Sequence, residues 1–204
     1  MELFSLVLEL QEQGAPLQRQ EFHRETVEKL DFSELDCHES SFTSSRFIDC
    51  DFSGTSFYGC RFENCQFSGC RFPVSYWKNT SLCFCKADGA DLRRARFKNC
   101  TLVSSLLRYA NCADSVWDKT SITSCSFTES SMASAAIRSC CLQQVDFSGA
   151  VFFRAELKGL NLSSCTIDRI TLSENCAELR GTKIDASQAA LVARILGIEV
   201  LNNY

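Results

Sequence analysis

From Phe22 to Leu172 the chain repeats with a period of five. The central positions run Phe22, Val27, Phe32, Cys37, Phe42, Phe47 and onward through Trp77, Phe97, Trp117, Phe147 and Leu172, 31 consecutive positions without a slip. Of the 16 phenylalanines, 13 fall in this class, and both tryptophans do too. The position two residues earlier holds small residues: Cys50, Thr55, Cys60, Cys65, Cys70, Ser75 and so on to Cys165. Between Leu30 and Leu172 neither class contains Asp, Glu, Lys or Arg; the charge sits in the other three classes. Six of the nine glycines occupy the position two after the centre, among them Gly54, Gly59 and Gly149.

A period of five matches neither a helix at about 3.6 nor a flat strand at about 2. It matches a chain that turns a corner every five residues. Residues two apart on an extended segment point the same way, so the small and the large class face inward together. The glycine class then falls at the corner, where a positive φ is often required. The period by itself gives repeated corners and no handedness. Phe62, Phe67 and Phe97 are expected to be buried.

Stretches such as Cys50-Asp51-Phe52-Ser53-Gly54, Ala90-Asp91-Leu92-Arg93-Arg94 and Val145-Asp146-Phe147-Ser148-Gly149 resemble the pentapeptide-repeat consensus: small residue, Asp or Asn, Leu or Phe, then two polar residues. The resemblance spans about Gln20 to Glu174. It implies an all-β fold, a right-handed quadrilateral parallel β-helix of about eight 20-residue coils without loop insertions. At about 4.8 Å per coil such a rod is roughly 37 Å long. The expected organisation is an N-terminal cap over residues 1–19, the β-helix over 20–176, and a C-terminal cap and dimerisation element over 177–204.

Fourteen cysteines would suit a disulfide scaffold in a small secreted chain. Nine of them fall in the small inward class, where Cys behaves as a compact buried hydrophobe. Free thiols and a cytoplasmic location are the expectation, because the first 14 residues carry Glu2, Glu9 and Glu12 and make a poor signal peptide. No apolar run approaches the ~20 residues of a membrane helix, and no membrane contact is expected. There is no CxxC pair, and the two histidines, His23 and His38, both lie near the N-terminus. No metal, cofactor or catalytic residue is therefore expected: a filled rod offers no pocket in which titratable groups converge.

After Glu174 the register decays. Asp185 to Gly197 reads as a short helix with Asp185 or Ser187 as N-cap and Gly197 as stop. Ile198 to Leu201 reads as a short strand, and Met1 to Leu10 suits either strand or helix. The tail resembles that of the Qnr quinolone-resistance proteins and their mycobacterial relatives. That resemblance implies a two-fold homodimer, here through Leu191, Ile195, Leu196, Ile198 and Val200.

A step of 20 separates the faces of a square coil. One face, through Phe62 and Leu82, shows mostly Ser, Thr and Gln. The face through Phe57 and Trp77 carries a basic stripe: Lys78, Lys98, Lys119, Arg138 and Lys158. It reads either as a solvated edge or as a contact line for an acidic or nucleic-acid partner. The first 60 residues carry 12 acids against 4 bases, whereas the rest of the chain is net positive. Glu34, Asp36, Glu39, Asp49 and Asp51 lie outside the inward classes in this acidic part. The resemblance implies binding to DNA gyrase or topoisomerase IV, partly by DNA mimicry, with protection from quinolones and no direct nucleic-acid binding. Many Qnr proteins carry two loops that bulge from the rod, and this register has no room for them. The alternatives are self-immunity against a natural topoisomerase toxin of the albicidin or microcin type, and a scaffold for an unrelated protein.

Overall fold

The computed structural model describes residues 3–201. From Leu17 the chain forms a parallel solenoid in which each residue pairs with the one 20 further on. On the face of Trp77, seven strands stack from Leu17–Gln18 to Ala136–Arg138. On the face of Leu82, seven more stack from Glu21–His23 to Cys141–Gln143. The face of Phe67 begins with three strands, Thr26–Glu28, Arg46–Ile48 and Gln66–Ser68, and continues as single bridges to Thr166. The fourth face, that of Phe72, is held by single bridges from Asp31 to Thr171. This is the quadrilateral β-helix expected from the sequence, entered one corner earlier than Phe22, at Leu17, which pairs with Cys37.

The corners explain the third residue class. The residue two after each centre is left-handed at every corner from Arg19 to Gly159 and again at Arg169. Glycine is strain-free there, and Gly54 has a second reason: an added Cβ would meet the Glu34 carboxylate 2.9 Å away. Val74, with φ 61°, holds a β-branched side chain in a region such residues avoid. The coil is closed by ladder bonds that extra corner residues would break, so the strain is tolerated.

Both inward classes are buried. Phe62, Phe67 and Phe97 are each at most 2% exposed. Rings one coil apart stack: Phe42 on Phe62 at 4.8 Å, Phe52 on Phe72 at 4.8 Å, and Phe97 on Trp117 at 3.9 Å. Rings on adjacent faces meet edge to face, as Phe57 does with Phe62 at 5.4 Å. Both arrangements suit the ring quadrupole. The space left between Phe67, Trp77, Leu92 and Leu107 is about 20 Å³. The fourteen cysteines are unbridged, and burial pushes the Cys112 thiol up to about 12 and those of Cys100 and Cys125 to about 11.

Helix α1, Leu3–Gln13, closes the N-terminal end, placing Leu3 and Val7 in the core with Leu6 and Leu10 against it. These residues share one helical face, which decides the alternative left open by the sequence. At the other end the step of 20 fails. After Cys141–Gln143 the ladder opens on the face of Leu82: no bridge joins Cys141 to Asn161, and Asn161 pairs onward with Lys183, 22 residues later. Ser164 is the one corner residue between Arg19 and Arg169 that is not left-handed. The opening is a cleft of about 650 Å³ lined by Cys140, Cys141, Gln143, Gln144, Asn161 and Ser164 among others.

The buried polar residues of the C-terminal region fasten the cap. Glu178, in a 3-10 turn over Ala177–Leu179, accepts from Arg154 N at 2.8 Å and Ser173 Oγ at 2.8 Å. Helix α2, Ala186–Ile195, starts at a capping box in which Asp185 and Gln188 exchange hydrogen bonds at 2.8 and 3.0 Å. Gln188 also donates to the carbonyls of Leu162 and Cys165, at 2.8 and 2.7 Å. Gly197, φ 76°, ends the helix, and Ile198 N returns to Ala193 O at 2.9 Å. Ile198–Leu201 forms no strand. Alternation alone does not make a strand.

Candidate interaction surface

Because the core is filled, the residues open to a partner are the outward ones, three per corner-to-corner segment. Among the described residues no cluster of three His, Cys, Asp or Glu side chains is placed to hold a metal. His38 stacks on Tyr58 at 4.8 Å, and His23 is exposed on the adjacent face. A second cleft, of about 380 Å³, lies between α1 and the first coil and is lined by Gln11, Gly14, Glu34 and Asp36 among others. No described helix is long and apolar enough to cross a membrane.

The five acidic residues do not share a face. Asp36 stands on the Trp77 face, with Glu34 and Glu39 on the corners either side of it, whereas Asp49 and Asp51 lie around the coil on the Phe72 side. Glu39 bonds Arg19 at 2.9 Å, and Asp51 is paired with Arg71 one coil on. Burial alone would raise the Asp51 carboxyl, but hydrogen bonds from Ser53 and the Arg71 guanidinium lower it. Arg93 holds Asp91 low in the same way. Glu34, Asp36 and Asp49 make no ion pair among the described residues.

The basic stripe is interrupted at one coil. Lys78 and Lys98 are direct Cα partners on adjacent coils. The next position on that column is Asp118, and Lys119 sits one residue further, on the left-handed corner. Arg138 follows Asp118 on the column but is bonded to Glu156 at 2.6 Å, and the exposed Lys158 stands one coil further on, past the Ala136–Glu156 bridge. The structure adds residues that face-by-face reading missed. Arg96 is the partner of Tyr76, and Tyr58 is the partner of Lys78. The signal was in the same step of 20, applied to position 76 as well as to position 78.

The dimer residues are placed unevenly. Leu191 packs against the core, and Val200 is half-buried. Ile195, Leu196 and Ile198 are 40%, 45% and 55% exposed and adjoin exposed Leu201.

A coil of stacked 20-residue turns with a packed interior defines a repeat solenoid. Pentapeptide repeats match residues 27–80 and again residues 78–108 and 130–168, and the chain belongs to the pentapeptide-repeat family. No curated protein matches the sequence. Among solved structures, a trypsin-treated variant of QnrB1, a plasmid-mediated fluoroquinolone resistance protein, is similar at TM-score 0.51 and 22% identity, covering 92% of this chain and 100% of that one. HetL, a pentapeptide repeat protein involved in heterocyst differentiation regulation in the cyanobacterium Nostoc sp. strain PCC 7120, is 15% identical at TM-score 0.40, covering 90% and 97%. The chain thus has a Qnr-like fold.

Proposed function

We propose that this protein is a non-enzymatic rod that binds a type II topoisomerase, DNA gyrase or topoisomerase IV, in the cytoplasm and protects it from quinolone-type inhibitors. The observation that carries this reading is a stiff coil, regular from Leu17 to Gln143, whose first turns expose Glu34, Asp36 and Asp49 without ion-pair partners among the described residues. A rod that is already ordered loses little entropy on binding. Its acidic end is drawn to a positive groove that otherwise holds DNA, which is partial mimicry because the later coils are not acidic. A homodimer through the C-terminal cap doubles that acidic end.

The test is a gyrase supercoiling and cleavage assay with and without ciprofloxacin, using the intact protein and a Glu34→Gln/Asp36→Asn/Asp49→Asn variant. The intact protein is expected to alter drug inhibition, the variant to do so less, and both effects to weaken as salt rises. Unchanged supercoiling, cleavage and drug response at micromolar protein overturns the reading.

A further inference from the structure

Between two acidic boundaries on the Trp77 face lies a short strip of cations and aromatic hydroxyls, with Ser56 and His38 at its N-terminal end. Lys78 and Lys98 are register partners, so two like charges stand about 4.8 Å apart at the backbone. Like charges directly opposite on a sheet destabilise it. Beside them Arg96 follows Tyr76, and Lys119 stands on the adjoining corner. None of these four cations makes an ion pair among the described residues. Elsewhere on the rod Arg71, Arg93, Arg108 and Arg138 are each bonded to a carboxylate, whereas no lysine is among the described residues. Asp118 is the register partner of Lys98, yet no ion pair forms between them.

Tyr58 and Tyr76 continue the strip towards the N-terminal end. Their rings meet at 5.6 Å, edge to face, and His38 stacks on Tyr58 at 4.8 Å. Neither tyrosine hydroxyl is hydrogen-bonded among the described residues. The strip therefore offers ammonium, guanidinium and phenol donors and no acceptor of comparable strength.

We propose that this strip, Tyr58, Tyr76, Lys78, Arg96, Lys98 and Lys119, is a docking site for a short acidic polypeptide segment. Two features select a polypeptide over a nucleic acid. Flat stacking of bases needs open aromatic faces, and here the rings are engaged with one another. The strip is also short. Asp36 bounds it at one end and Asp118 at the other, four coil steps or about 19 Å away. A long polyanion laid along the face would cross both carboxylates, in a chain whose net charge is −4. A segment with two or three carboxylates fits between them. The site does not depend on the topoisomerase reading, since it lies on coils beyond the acidic first turns.

The test uses the full chain and two fluorescein-labelled probes of equal charge, an oligoglutamate peptide and a single-stranded oligonucleotide. Anisotropy at low and physiological ionic strength is read for the wild type and for Lys78→Gln/Arg96→Gln/Lys98→Gln. A control carries Lys158→Gln/Arg180→Gln/Lys183→Gln. The peptide is expected to bind more tightly than the oligonucleotide, to lose roughly tenfold in affinity in the strip variant, and to keep its affinity in the control. Amide shifts in the wild type on adding the peptide should centre on residues 76–78 and 96–98, a readout that stands even if the variant folds poorly. No peptide binding, equal loss in both variants, shifts spread over the rod, or preference for the oligonucleotide overturns the proposal.

Discussion

Each tryptophan carries a polar N–H into an otherwise apolar core, and the chain answers both in the same way. Trp77 Nε1 donates to Ser75 Oγ at 2.8 Å and Trp117 Nε1 to Ser115 Oγ at 2.9 Å. Those hydroxyls donate in turn to the carbonyls of Phe72 and Cys112, at 2.7 and 2.6 Å. The small position thus does more than leave room: it places an acceptor two residues before the ring that needs it. Ser130 occupies the same class, is fully buried, and has no hydrogen-bond partner for its hydroxyl. Two substitutions of identical chemistry should therefore diverge. Ser75→Ala strands a buried indole N–H and should lower stability by about 1–3 kcal/mol. Ser130→Ala removes an unsatisfied group and should leave stability within about 0.5 kcal/mol or raise it. Urea midpoints at constant slope measure both. Equal losses would show that the hydroxyl of Ser75 contributes only volume. The Ser-x-Trp pairs were visible in the sequence, but their meaning required knowing that both positions point inward.

At the scale of elements, the coil itself was legible because one property, inward against outward, alternates with a fixed period over 31 positions. The ends obey no such period. Leu3, Val7 and Leu10 lie on one helical face, yet ten residues of mixed pattern also fit a strand, and the open end of the coil settles the matter by needing a broad apolar plug. Ile198–Leu201 alternates as a strand would and is none. The failure of the 20-residue step after Gln143 has no sequence signal in the inward classes, since Leu142, Leu157 and Leu162 keep the register. It shows only in the corner residue Ser164 and in the missing ladder. Earlier coils bond corner to strand, as Ser124 N does to Gln143 O at 2.9 Å. Among the described residues Leu142 N and Gln144 N have no such bond to the coil that follows. Amide hydrogen exchange should therefore be much faster at Leu142 and Gln144 than at Ile122 and Ser124, one coil earlier on the same face. Equal protection would mean that the ladder is closed in solution.

At the scale of the whole molecule, charge and apolar surface are separated along the axis. Acidic residues dominate the first coils, the unpaired Lys78, Arg96 and Lys98 stand in the middle, and exposed apolar side chains lie on the C-terminal cap. The strip in the middle was legible in the sequence: the step of 20 gives Lys78 and Lys98 and then Asp118, with Lys119 one residue off the column on the corner. The cap was legible as a helix but not in the orientation of its side chains. Leu191 and Ile195 are one turn apart on one helical face, but Leu191 packs against the core while Ile195 is exposed, as are Leu196, Ile198 and Leu201 around the left-handed Gly197. A cluster of that kind is costly to leave in water and favours a closed two-fold contact. Light scattering should accordingly report a dimer at micromolar concentration. Ile195→Glu/Ile198→Glu should give a folded monomer, because both side chains are already exposed and the charge meets only the partner. Leu191→Glu should instead lower the unfolding midpoint, because it buries a charge against the last coil. A monomeric wild type would sink the dimer. Loss of the fold in the Ile195/Ile198 variant would show that these residues cover their own coil rather than a second copy.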